Sequence, residues 1–482
     1  MEMNLFRIRS CSALLNEFKE LENQEIYFAH PKELNDPMEG LSDIFWEGDD
    51  VVWENLFKHY IRVFDRAISL YLIGGEQYPI ELEKLPFVHF DDLSMSEKHK
   101  SIHQELFDNF FSEPAIVSYI YQLTSKKICL RRSQFLMHLR ILHPFIISIF
   151  FRCYERNDLL PKGTYKDQNH ADFVARVNNL HTTIDLMPKV PISEELNRDA
   201  AIETLFTFQN MTLSQIDLIH YFNKSIRFGE QNRIAVFVDF PDVYVNQIEN
   251  LVRPQWYAAC FMEECKNSSL WGHYGANHTG ICLKFRTQQH GGKPALNLKR
   301  TVGYNGGGSV VSWFPCEFEK VSYTDELIPL DFFDLLPGRL PIPTLNRLWY
   351  FDGHGNKSAR ASSFFDNEHK WRSNYYDIRK RVFARKSSDW KFENEHRLVL
   401  QSDLINFSDV SSRKLRYDFN SLDGIIFGIK TPISEKISVA KIIETKCLEH
   451  KRKDFKFYQA YYSPQTRSIE QYEMKLLKFD IS

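Results

Sequence analysis

Apolar and polar positions along this chain change period twice, and the changes mark out three stretches. Residues 1–44 are short-period. Leu5-Phe6-Arg7-Ile8-Arg9 alternates apolar with basic residues and predicts a strand with one wet face. Leu14, Leu15, Phe18 and Leu21 then recur at helical spacing behind Ser10 or Ser12, either of which can cap a helix. Glu25-Ile26-Tyr27-Phe28-Ala29 predicts a second strand that Pro31 ends. Asn35-Asp36-Pro37 predicts a polar turn, because a residue before proline is pushed out of helical geometry.

From 45 to 255 helical patterns dominate, as in Ser133 to Arg156 and Ser193 to Phe222, with one strand predicted over Arg233 to Asp239. This stretch is too long for a loop and predicts a mainly helical insertion. Short periods return in 256–482. Strands are predicted at Tyr257 to Phe261, Gly280 to Phe285 and Glu395 to Leu400, with a fully apolar one over Gly424 to Ile429. Ser268 or Ser269 caps a brief helix, Leu270 to Tyr274, which Gly275 ends, and a helical segment covers about 345–382. Gly306-Gly307-Gly308 predicts a flexible loop; it lacks the Gly-Lys-Ser/Thr ending of a phosphate-binding loop. The expected class is α+β: a core formed by 1–44 and 256–482, interrupted by the helical insertion.

At 482 residues, one core is not expected to organise the whole chain. With 43% hydrophobic and 26% charged residues the composition is that of a folded protein, and 39 Phe with 22 Tyr leave aromatic faces for planar ligands. A net charge of −3 does not demand nucleic acid as partner. The eight cysteines are dispersed without a C-x-x-C pair, which predicts reduced thiols rather than a zinc or disulfide framework, and no metal is expected. No secretory signal is expected, and the most apolar segment, Leu142 to Phe151, is too short to span a bilayer. A cytoplasmic protein with no membrane partner is the expectation.

Three blocks carry candidate chemistry. In Glu393-Asn394-Glu395-His396-Arg397, strand alternation places Glu393, Glu395 and Arg397 on one face and His396, Leu398 and Leu400 on the core face. Two carboxylates beside a guanidinium can stabilise a developing cation, orient a nucleophile or bind metal; they can equally be a surface ion ladder. In Trp271-Gly272-His273-Tyr274, with His278, the histidines either ligate metal with the glutamates or fix a turn. In Asn35-Asp36-Pro37-Met38-Glu39 the polar residues either tie a turn or line a pocket near Tyr27, with Arg7 and Arg9 as partners for a phosphate or for these acids.

Taken together, Tyr27-Phe28 through Glu39, Cys260-Phe261, Trp271 to Gly280 and Trp390 to Arg397 resemble the bacterial family catalogued as domain-of-unknown-function 2971, over about residues 1–44 and 256–430. The order of elements is also similar to the ADP-ribosyltransferase fold. That likeness implies transfer or hydrolysis of ADP-ribose from a nicotinamide dinucleotide (NAD as substrate) to an unknown protein or nucleic-acid acceptor, in a toxin or phage-defence setting. It implies catalytic Glu395, Glu393 and His273, and a dinucleotide site drawn from Arg7, Arg9, Tyr27, Asn35, Asp36, Glu39, Tyr274, His278 and Arg397. Two other readings remain: a metal-dependent hydrolase or nuclease using His273, His278, Asp36 and the glutamates, and a non-catalytic interaction or sensor protein.

Overall fold

The computed structural model describes residues 3–87, 96–164, 170–186, 198–222, 230–253, 255–401 and 405–479. The protein is α+β and divides into two compact units. One comprises Met1–Leu41, Pro254–Leu327 and Ile378–Ser482; the other comprises Ser42–Arg253 and Ile328–Asp377.

The first unit is built on an eight-stranded sheet. Its order is Glu319–Lys320, Glu395–Leu400, Tyr257–Met262, Asn4–Arg9, Ile281–Arg286, Leu422–Phe427, Lys456–Ser463 and Ser468–Glu473. Neighbours run antiparallel except Leu422–Phe427 with Lys456–Ser463, a parallel pair that needs a crossover, supplied by the helix Ile433–Glu449. A second sheet joins Glu25–Tyr27, Lys414–Tyr417, Lys293–Asn305 and Gln288–His290, with Gly308–Glu317 paired to Lys293–Asn305. Leu5, Ile26, Phe28, Phe261, Leu283, Leu298, Leu398 and Phe427 meet in one core drawn from both sheets, and Val439 and Ile443 of the crossover helix join it.

The opposite face of the large sheet is covered too. Leu270 and Trp271 of the helix Ser268–Tyr274 pack on Ile8, Met262 and Cys282, while Trp256, Ala258, Phe383 and Ala384 form a smaller cluster. Gly280 is required here, because a Cβ on it would strike the Arg9 carbonyl and the Gly275 backbone.

The second unit is mainly helical. Its longer helices are Asp50–Gly74, Glu97–Phe111, Pro114–Ser125, Arg132–Arg156, His170–Leu186, Arg198–Phe222 and Phe240–Glu249. Asp43–Trp46 pairs with Leu130–Arg131 and with Pro329–Asp331 in a small sheet. Arg132–Arg156 is long and apolar enough to cross a membrane, but 83% of its most apolar window is buried inside the protein, as befits a core helix.

Several expectations are corrected. Arg233 to Asp239, predicted as a strand, is helical: Val236 is buried and Val238 is 51% exposed, so the β-branched spacing served a helix with one inward face. Residues Ile328–Asp377, assigned to the core from sequence, cluster with the helical unit. The triglycine loop is the turn of a long hairpin whose two strands the sequence did not reveal. Asn267, not Ser268 or Ser269, caps the short helix, accepting from the Ser269 amide at 2.8 Å. The Ser193 end of the helix predicted up to Phe222 falls outside the described residues.

Candidate functional site

Antiparallel pairing sets Arg397 opposite Cys260 and Glu395 opposite Met262, next to the central strand Asn4–Arg9. On this frame the three blocks converge. The Arg397 guanidinium makes five hydrogen bonds. It donates to Glu395 at 2.8 and 3.0 Å, to Glu39 at 3.0 and 2.6 Å, and to the Phe383 carbonyl at 2.9 Å. Such a planar fork can hold two carboxylates at once, which a lysine cannot.

Lys386 completes the cluster. It lies on the short strand Arg385–Lys386, which pairs in parallel with Ser322–Tyr323. Its Nζ donates to Glu393 at 2.6 Å and to Glu395 at 3.3 Å, and sits 3.6 Å from Glu39. Tyr274 donates its hydroxyl to Glu393 at 2.6 Å, and Tyr323 accepts from the Glu395 amide at 2.8 Å. Glu393 is not on the strand as predicted. It ends a 3-10 turn, and Asn394 follows in left-handed conformation at φ 44°. That kink lets Glu393 and Glu395 share one lysine.

The cluster is internal. Side-chain exposure is 1% for Glu39, Glu393 and Glu395, 3% for Lys386 and 0% for Arg397. Trp256, Phe383 and Ala384 cover this part of the second face of the sheet. Three carboxylates face two cations, so one negative charge is in excess when all are ionised. The acids respond differently. Burial would raise Glu395, but Arg397 and Lys386 pull its carboxyl down to about 2. Burial, with Glu395 close by, holds Glu393 above its ordinary range against the pull of Lys386, and burial raises Glu39 as well. The Cys260 thiol is pushed up by burial and by Glu395.

One side of the cluster approaches solvent. Trp390 lies over Lys386 with the ammonium 4.6 Å from its ring centre, and the exposed His273 ring is 5.8 Å from Trp390. Tyr274 and Trp390 are half-buried, and Phe392 is exposed. His273 therefore stands at the rim, apart from the carboxylates.

The remaining predicted site residues are engaged elsewhere. Arg7 is buried; it donates to the Tyr27 carbonyl at 3.1 Å and the Cys260 carbonyl at 3.4 Å, and burial lowers it to about 10. It clamps strands beside the cluster, although its Nε has no partner. Arg9 is held by the buried Glu20, which corrects its reading as a free phosphate anchor. Tyr27 donates to Glu33 at 2.7 Å and carries Arg413 over its ring, so that face is already occupied. Asp36 accepts from the Met38 amide at 2.8 Å and fixes the turn, with Asn35 exposed beside it. His278 has φ 72° and belongs to the turn before Ile281–Arg286, its backbone bonded to Trp271 and Lys430. His273, His278, Asp36 and the glutamates do not assemble as a metal-ligand set among the described residues.

The sequence pattern did not point to Lys386 or Tyr323, and it placed Cys260 and Trp390 in motif blocks without a role. Two acids spaced as in Glu393-x-Glu395 call for a nearby cation, and that was the available signal for Lys386. A scan against protein-family models, a search of curated proteins and a search of solved structures each returned no match.

Proposed function

We propose that this protein cleaves the glycosidic bond of a nicotinamide dinucleotide, transferring or hydrolysing ADP-ribose, with Glu395 and Glu393 as the working carboxylates. The observation that supports this most is Lys386 bridging Glu393 and Glu395 while Tyr274 holds the other oxygen of Glu393. Breaking this bond builds positive charge on the ribose, and a fixed carboxylate lowers the energy of that charge. Glu395, pinned by Arg397 and Lys386, is the ionised stabiliser. Glu393, held above the ordinary range by burial, is the proton acceptor for the incoming water or acceptor hydroxyl. The excess negative charge of the cluster complements both the cationic nicotinamide ring and the ribosyl cation. Access runs past Trp390 and His273, whose rings offer a stacking face once Trp390 leaves Lys386. An ADP-ribosyltransferase-like core, membership of the family suggested by the motif blocks, a cytoplasmic setting and a toxin or phage-defence role belong to the same proposal.

A second reading is favoured by the burial itself: the cluster is a clasp that joins three distant segments and does no chemistry. Incubation of purified protein with adenylate-labelled NAD and cell lysate separates the two. Release of nicotinamide, with label retained on an acceptor or freed as ADP-ribose, supports the enzyme. An intact dinucleotide under all conditions, from protein shown to be folded, leaves only the clasp.

A further inference from the structure

A second constellation lies in the helical unit, unrelated to the carboxylate cluster. His99 and His103 stand four residues apart on Glu97–Phe111, so their side chains share one face of that helix. Opposite them is Asp65 on the helix Asp50–Gly74. Its Oδ2 is 3.0 Å from His103 Nε2 and 3.5 Å from His99 Nε2, and the three atoms lie within 4.8 Å of one another. Among the described residues this is the one place where three such side chains converge so closely.

We propose that Asp65, His99 and His103 bind a divalent transition metal of the zinc class, with the fourth coordination position open to solvent. Zinc bonds of about 2.0–2.1 Å arranged tetrahedrally separate neighbouring ligand atoms by about 3.3–3.4 Å. The two observed separations fall either side of that value.

The surroundings are those of a built site. Tyr154 donates its hydroxyl to the other Asp65 oxygen, and Ser69 Oγ lies 3.2 Å from that hydroxyl. The carboxylate is thereby turned so that Oδ2 faces the histidines, the orienting task outer contacts perform at metal centres. Asp65 and His103 side chains are 4% and 7% exposed, whereas His99 is 48% exposed, which leaves a path for water to the fourth position. Nearby Arg66 donates to the Pro86 carbonyl and Arg62 lies over Phe107. Two imidazoles and one carboxylate favour zinc over calcium or magnesium, and the absence of thiolate in the set disfavours copper(I). The sequence expectation of no metal rested on cysteine spacing and did not weigh these residues.

The test uses the full chain, freed of metal by chelator and titrated with zinc alone by calorimetry, then with cobalt(II) by visible absorption. One equivalent should bind, with a cobalt spectrum free of thiolate charge transfer. His99→Ala, chosen because His99 is half-exposed and its loss spares the fold, should weaken binding at least about tenfold. Asp65→Asn should do the same, with circular dichroism confirming the helices. Failure of the folded wild type to bind, equal binding by His99→Ala, or a thiolate cobalt spectrum would each overturn the proposal.

Discussion

Replacing Arg397 with methionine removes five hydrogen bonds from a side chain that is fully enclosed. Methionine restores much of the volume, so packing loss is a minor part of the cost. The main part is electrostatic: Glu39 and Glu395 stay buried with only Lys386 nearby, at 3.6 and 3.3 Å. Breaking a buried ion pair from one side costs about 3–5 kcal/mol, a large share of a total stability of about 5–15 kcal/mol. Lysine at 397 keeps the charge but not the fork, and should cost about 2 kcal/mol. Adding Glu39→Gln to Arg397→Met removes one stranded charge and should recover about 1–3 kcal/mol, a non-additivity that identifies the pair. Two units can unfold separately, so a single melting curve is a poor assay. Hydrogen exchange read on peptides covering 255–262 and 395–400 across a urea series reports the sheet locally. Protection in Arg397→Met within about 1 kcal/mol of wild type would refute the claim that this network holds the segments together.

Three further outcomes follow from the same geometry. Glu395 is depressed in the folded state, so its stabilising contribution is complete above the ordinary carboxylate range and is lost as pH falls through about 2; Glu395→Gln should flatten that acid limb in equilibrium unfolding. Asn394 at φ 44° should tolerate glycine, whereas valine should cost about 1–2 kcal/mol and separate Glu393 from Glu395, measurable by hydrogen exchange over 395–400 and by a crystal structure of the variant. Arg9→Gln should leave nicotinamide release unchanged while lowering stability, because buried Glu20 loses its partner; a selective rise in KM without a stability change would return Arg9 to a phosphate-binding role.

What the sequence disclosed was set by how locally each feature is determined. Glu395–Leu400 was legible to the residue, because Leu398 and Leu400 stand two apart on a strand that turns this face to the main core. Glu39 and Tyr274 could be placed in candidate blocks, but their joining depends on pairing between segments up to 358 residues apart. Lys386 was invisible for a different reason. Its strand has two residues, and nothing local distinguishes a buried lysine from the exposed Lys380 or Lys391 on either side. The burial of Glu395 was not legible either, because alternation implies two faces without saying whether the second is wet. Here Trp256 and Phe383, from segments far apart in sequence, cover it. The hairpin Lys293 to Glu317 escaped because Val302, Tyr304, Val311, Trp313 and Phe314 are exposed, so its pattern does not alternate with burial.

Glu393→Gln tests in one protein the proposal that Glu393 does chemistry in a cluster that also holds the fold. Glutamine can still accept from Lys386 through its one carbonyl oxygen while its amide NH2 donates to the Tyr274 hydroxyl, and it removes the one unbalanced charge, leaving two carboxylates against two cations. Hydrogen-exchange protection over 395–400 in Glu393→Gln should equal or exceed that of wild type, while nicotinamide release from NAD slows about 100-fold. Release at the wild-type rate by a folded Glu393→Gln protein, or no release by the wild type itself, would contradict it.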